Sequence, residues 1–444
     1  MLPRTDLSGR QHKLWINGWD PENTTFWESS GRYTARRNLV WSILAEFLGF
    51  SVWQLWSIAV VFLPAAGFAF SVDQRFWIVA VASLVGAAIR IPYTFAVPRF
   101  GGRNWTIASV LLLLLPIGML VACVSNPNTP YWMFLVAAAA AGLGGGNFAS
   151  SMANISFFYP EARKGTALGV NAAGGNLGVA VAQLFVPSAV AVGAGITIAY
   201  AGLMWLPLVA LALAGAWWRM DNLTTAKSQP RIQLAVIRHS HTWVMAFLYI
   251  GTFGSFIGYS AAMPLLVKTQ FPEITANVAF IGPLVGSLFR PLGGLLADRV
   301  GGARVTVWNF IAMGAGLLGV LAALDTDSFG LFLTSMLVLF ATSGVGNGST
   351  YRMIPAIFRA KSDNLVAARH EAAAVIGLVS AIGALGGFLI PRAFGMSIAQ
   401  TGSIDAALYG FLIFYVACVG TTWFLYLRRS LFASRMPSLA EARV

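Results

Sequence analysis

Two arginines lie where arginine is costly. Arg90 and Arg290 each sit deep in an apolar run and open the same pattern, Arg-x8-Arg-x-Gly-Gly, as Arg90, Arg99, Gly101, Gly102 and Arg290, Arg299, Gly301, Gly302. A guanidinium at membrane depth costs at least about 2.5–3.5 kcal/mol on insertion scales, so two at matched depth in two half-chains point to one site facing both. That site should bind an anion. Arginine suits a small oxyanion better than lysine, because its planar fork donates paired hydrogen bonds and keeps its proton. Tyr93 and Thr94, three and four positions after Arg90, share its helical face; Gly286 and Gly294, one turn either side of Arg290, leave room for a ligand. Tyr93 either touches the ligand or holds the arginine in place. Glu46 is the only acidic residue placed well inside an apolar run. It can neutralise one arginine at most, or carry protons. The rival reading gives both arginines a purely structural task, pairing with a carboxylate or with carbonyls inside the bundle.

Apolar helices must position these side chains. Hydrophobic residues make up 57% of the 444 and charged residues 10%, against about 25% charged in ordinary soluble domains. Apolar stretches long enough to cross a bilayer recur along the whole chain without the alternation of barrel strands. The expected fold is an all-α membrane protein of about twelve transmembrane helices in two pseudo-symmetric six-helix halves. Spans are predicted at about 38–63, 76–97, 104–124, 131–158, 165–190, 195–218, 241–268, 277–297, 303–324, 330–358, 371–391 and 406–428. No removable signal peptide is evident.

The formal charge of +13 raises nucleic acid as a partner, and its placement argues against it. Basic residues crowd alternate loops (Arg99 and Arg103, Arg163 and Lys164, Lys227, Arg231 and Arg238, Arg299 and Arg304, Arg359, Lys361 and Arg369, Arg428 and Arg429), while 125–130 and 325–330 carry none. The positive-inside rule then puts both termini in the cytoplasm. Cys123 and Cys418 fall in predicted spans, and His12, His239, His241 and His370 form no cluster, so neither disulfide, metal nor cofactor is expected.

The polar stretch at 219–240 divides the spans six and six. The expected organisation is a cytoplasmic N-terminal segment 1–37, a six-helix bundle 38–218, a cytoplasmic linker 219–240, a second bundle 241–428 and a cytoplasmic tail 429–444. Glycines match across the divide: Gly142, Gly144 and Gly146 with Gly344, Gly346 and Gly348, and Gly169, Gly175 and Gly178 with Gly377, Gly383 and Gly386. A single glycine pattern reflects close helix packing, but matched features in one order point to duplication of a six-span unit.

Longer motifs carry a resemblance. Gly294-Leu-Leu-Ala-Asp298-Arg299-Val-Gly301-Gly-Ala-Arg304 resembles the cytoplasmic signature of the major facilitator superfamily, where acidic and basic side chains latch neighbouring helices. In the first half, Pro98 stands in place of Asp298, so any latch there must use other groups. Phe26-Trp27-Glu28, Arg37-Asn38-Leu39, Arg90-Ile91-Pro92-Tyr93, 146–154, 169–178, 254–260 and 380–387 together resemble the nitrate/nitrite porter family of the bacterial NarK type, over nearly the whole chain. The resemblance implies that Arg90 and Arg290 clamp the anion, that Asn176 donates a hydrogen bond, and that Phe148 and Tyr259 border the pocket. Met263, one turn beyond Tyr259, stands where an aromatic wall is expected. Asn171 is read as interhelical glue, and the glycines as surfaces on which helices approach and slide.

These expectations describe a bacterial inner-membrane carrier of nitrate and nitrite, expected to be a monomer, serving processes such as nitrate assimilation. It works by alternating access, with nitrate/nitrite antiport favoured over nitrate/proton symport. An anion channel is the rival of another class; a sensor lacks an output module, and no nucleophile or catalytic pattern points to an enzyme.

Overall fold

Apolar length makes these helices, and small local signals start and stop them. Ser71 begins one of the longest: its hydroxyl accepts from the Gln74 N–H at 3.2 Å, and the Gln74 side chain accepts from the Ser71 N–H at 2.9 Å. This reciprocal cap satisfies two otherwise unpaired donors. At the far end, Gly101 has φ +87°, and its repeat partner Gly301 has φ +93°. A side chain would strain either corner, so the Gly-Gly pair of the repeated motif makes the same turn twice.

The computed structural model describes residues 15–193, 195–226, 236–361, 365–428 and 439; the side chains of 361, 365–370 and 373 fall outside that description. The predicted tail apart from Leu439, residues 1–14 and the linker positions 227–235, with Lys227 and Arg231, lie outside the described residues. Among the described residues, twelve helical segments are long and apolar enough to cross a membrane: span 1, Thr24–Ala59; span 2, Val72–Phe100; span 3, Gly102–Ser125; span 4, Tyr131–Phe158; span 5, Glu161–Val190; span 6, Ala199–Arg219; span 7, Ser240–Gln270; span 8, Ala276–Val300; span 9, Gly302–Asp325; span 10, Phe329–Ala360; span 11, Ala374–Thr401; and span 12, Asp405–Leu427.

Two boundaries differ from the sequence reading by more than four residues. Span 1 starts fourteen residues before 38, because the Asn23 side chain caps the first turn by accepting from Phe26 N–H at 3.0 Å. Span 11 runs past 391 to Thr401, since Pro391 sits within a helix that continues to a left-handed stop at Gly402. A proline inside a bundle removes a hydrogen bond without ending the helix when neighbours support it. Pro92 likewise lies inside an unbroken span 2.

Within the first half, span 1 packs on span 5 and span 2 on span 4; in the second, span 8 and span 9 pack on span 10. Across the halves, span 2 meets span 11, span 5 meets span 8, and the end of span 1 meets span 7. A two-residue parallel bridge joins β1, Trp15–Ile16, to β2, Asn222–Leu223.

Candidate functional site

Arg90 lies among three aromatic rings, with its guanidinium 4.6 Å from the Phe148 centroid, 5.0 Å from Phe253 and 5.2 Å from Trp53. Trp53 is held there by its indole N–H, which donates to the Ala82 carbonyl at 2.9 Å. It fits only because its neighbours are glycines: a Cβ on Gly145 would lie 2.8 Å from the Gly86 backbone and 2.9 Å from the indole. The small residues of span 4 therefore let an aromatic wall slide under the arginine.

Arg290 reaches the same place from the other half. Its guanidinium lies 5.8 Å from the Phe148 centroid and 5.4 Å from that of Tyr351, so one ring, Phe148, is shared by both cations. Aromatic faces attract cations, more strongly where water is absent. Arg90 is fully buried and Arg290 is 6% exposed.

The hydrogen bonds leave both arginines incomplete. Arg90 donates through Nε to the Gly145 carbonyl at 3.1 Å and through Nη1 to the Ser380 carbonyl of the opposite half at 2.9 Å, while its Nη2 is buried without a partner. Arg290 donates weakly through Nη2 to the Tyr249 hydroxyl at 3.4 Å, and its Nη1 is buried and unpartnered. Among the described residues, neither makes a salt bridge with a carboxylate. Burying a donor without an acceptor costs roughly 1–3 kcal/mol, and more for a charged group. An oxyanion has the charge and the acceptor atoms that these two donors lack.

Asn176 has both amide atoms buried and unpartnered, whereas Asn171 donates to Glu46 Oε2 at 2.6 Å and to the Ser151 hydroxyl at 2.9 Å. The two asparagines of span 5 are thus in different situations, one open to a ligand and one bonded between helices. Glu46 is fully buried and also accepts from the Ser151 hydroxyl.

Other residues singled out from the sequence have neighbours of their own. The Tyr93 ring packs edge-on against Trp105 at 4.9 Å and against the face of Gly146. Tyr259 turns its hydroxyl to Tyr415 at 2.7 Å and its ring to Phe340 and Phe411. Met263 is fully buried. Gly175 abuts Glu46, Gly178 abuts the span 1 backbone, Gly383 abuts Tyr249, Gly386 abuts Gly254 and Gly377 meets Thr94; Gly169 faces open space. Asp298 pairs with Arg352 of span 10, while Arg299 sits in the last turn of span 8. In the first half Arg103 donates to the Trp217 carbonyl at 3.1 and 2.7 Å, a neutral counterpart where Pro98 replaces the acid.

Sequence reasoning missed Trp53, Phe253, Tyr249, Tyr351 and the Ser380 carbonyl. It also missed Asn347, which like Asn154 and Asn176 is a buried amide with both atoms unpartnered, and which sits between the matched glycines Gly346 and Gly348. A polar residue inside that glycine run is the signal that could have found it.

Twelve apolar spans, repeated six and six around an internal cationic site, define the architecture of a secondary transporter. Residues 45–391 match the Major Facilitator Superfamily. The "Nitrate/nitrite transporter NarU" of Escherichia coli (strain K12) is 44% identical over 93% of this chain and 96% of its own. The "Probable nitrate/nitrite antiporter NarK2" of Thermus thermophilus is 36% identical over 94% and 97%, and the "Nitrite extrusion protein" of Bacillus subtilis (strain 168) is 28% identical over 81% and 86%. A crystal structure of a D-xylose-proton symporter superposes with TM-score 0.66 over 87% of this chain and 97% of its own, at 16% identity, and so shares the fold. The chain belongs to the major facilitator superfamily and, within it, to the nitrate/nitrite porter family of the NarK type. It is a multi-pass membrane protein.

Proposed function

We propose that this protein carries nitrate and nitrite across a bacterial inner membrane by alternating access, exchanging one anion for the other, as a monomer with both termini in the cytoplasm. One observation carries the reading: two guanidiniums, one from each half, converge on Phe148 with an unpartnered amino group apiece and, among the described residues, no carboxylate in salt-bridge contact. The names of its relatives give the anion, and the chemistry fits it. Nitrate is flat, singly charged and weakly hydrated, so fork-shaped donors and aromatic faces replace its water at small cost. Asn176 would add a hydrogen bond. The polar groups that converge here are donors matched to an anion, as in a carrier rather than an enzyme.

Exchange follows from charge. An empty carrier holding unpaired positive charge rocks reluctantly, because the charge must pass through a dry interior; a bound anion removes that barrier. Burial of both arginines favours a carrier over a continuously open pore. In proteoliposomes, nitrite inside should accelerate labelled nitrate uptake severalfold over empty vesicles. Equal uptake with and without internal nitrite would contradict exchange.

A further inference from the structure

Where span 5 begins, spans 1 and 5 leave a groove of about 360 Å³ between them, lined by none of the residues of the anion site. Arg36 and Leu39 face it from span 1, Arg163, Thr166 and Val170 from span 5, and Tyr159 from the corner before span 5. Helical spacing sorts these side chains by depth. Arg163, Thr166 and Val170 follow at steps of three and four along one face of span 5, and Val40 lies one turn beyond Arg36 on span 1. Val40 is 53% exposed and Val170 49%, so each helix runs from a cation near its end to an open apolar side chain one or two turns deeper. Aromatic rings support the charged end. Tyr159 packs on Trp27 with ring centroids 5.6 Å apart, and the Arg163 guanidinium lies 5.9 Å from the Trp27 centroid. Burial pushes the Tyr159 phenol above its usual range, and the Arg36 charge opposes that rise. The acids nearby are engaged: Glu28 by Arg32 at 3.1 Å and by Arg163 at 3.7 Å, Glu161 by Lys164, and Glu22 by the Glu161 N–H at 2.9 Å. Arg36, among the described residues, makes neither a salt bridge nor a side-chain hydrogen bond.

We propose that this groove binds an anionic phospholipid, its phosphate on Arg36 and Arg163 and one acyl chain along Val170 and Val40. Two guanidiniums suit the non-bridging phosphate oxygens, and the Tyr159 and Thr166 hydroxyls lie in the same groove as further donors. A lipid fits better than a soluble anion, because charge gives way to exposed apolar surface within about 10 Å along span 5, the profile of a headgroup joined to a chain. Basic pockets between membrane-crossing helices take such headgroups. Arg36 has no carboxylate of its own, so a zwitterionic headgroup would set a second cation beside it. Span 1 carries Trp53 and span 5 carries Asn176, so a lipid bridging the two helices ties together two walls of the anion site.

Native mass spectrometry and thermal melts of the full chain in detergent test this, with phosphatidylglycerol, phosphatidylcholine or inorganic phosphate added. The parent should hold one phosphatidylglycerol at least about tenfold more tightly than phosphatidylcholine, and melt higher with it. Arg36→Gln combined with Arg163→Gln should lose that preference and the melting shift, while melting like the parent without lipid. The control pair Arg238→Gln with Arg359→Gln, exposed arginines of the second half, should keep the preference within about twofold. Val170→Trp, which obstructs the apolar part of the groove at unchanged charge, should also weaken phosphatidylglycerol severalfold and gives a second reading if the arginine variant folds poorly. Equal retention of the two lipids by the parent overturns the proposal. So does a preference that survives both the arginine variant and Val170→Trp, or one lost equally in the control pair, which would reduce it to general surface charge. Inorganic phosphate that displaces phosphatidylglycerol and raises the melting temperature as far would make the groove a soluble-anion site and overturn it too.

Discussion

Asn176 separates a binding role from a structural one more cleanly than the arginines do. An amide with both ends buried and unpaired costs the empty protein roughly 1–3 kcal/mol for each group, so nothing in the unliganded fold accounts for it. Asn176→Leu, of similar shape, should leave the melting temperature of detergent-solubilised protein unchanged or raised while weakening nitrate binding about tenfold, the worth of one charge-assisted hydrogen bond. A lower melting temperature with unchanged affinity would make Asn176 a packing residue. Arg90 and Arg290 were legible in the sequence because charge within an apolar run stands out against its surroundings. Trp53, Phe253, Tyr249 and Tyr351 were not, since an aromatic in an apolar run looks the same whether it lines a site or fills a core. The Ser380 carbonyl carries no side-chain signal at all.

Span contacts set how closely the walls of the site approach. Spans 7 and 11 touch backbone to backbone, and a Cβ on Gly254 would lie 2.8 Å from the Gly383 carbonyl oxygen and 3.1 Å from the Gly386 Cα. Gly386→Ala must push the two spans apart at roughly 1–3 kcal/mol, as overpacking does, and counterflow should fall with the melting temperature. Gly169, matched to Gly377 in the repeat, faces open space, so Gly169→Ala should change stability by no more than about 0.5 kcal/mol. Equal effects of the two substitutions would detach the glycine pattern from packing. The existence of twelve spans was legible because hydropathy adds up residue by residue along each helix. Their ends were less so: the Asn23 cap precedes the apolar run it serves, and Pro391 reads as a stop but is carried through by the bundle.

At the scale of the molecule, the halves meet around the buried arginines. Arg90 bonds to Ser380, the Gln183 side chain donates to the Ser260 carbonyl at 2.6 Å, and Arg392 pairs with Asp73 at 2.7 Å while lying 4.0 Å over the Trp77 ring. Each joins the first half to the second, so moving the halves apart there means breaking it. The sequence reading pointed to a duplication but not to these bonds, because partners such as Asp73 and Arg392 are distant along the chain and share no motif. The central claim is that one anion is held jointly by a guanidinium from each half. Titration calorimetry of nitrate into purified parent, Arg90→Lys, Arg290→Lys and the double variant tests it most directly. One nitrate per chain is expected. Each single variant should bind at least about tenfold more weakly, since a charge-assisted hydrogen bond contributes about 1.5–3 kcal/mol, and the double variant should fall short of the sum because both arginines serve one ligand. Parental affinity in either lysine variant, or independent losses that add in full, would contradict the shared clamp.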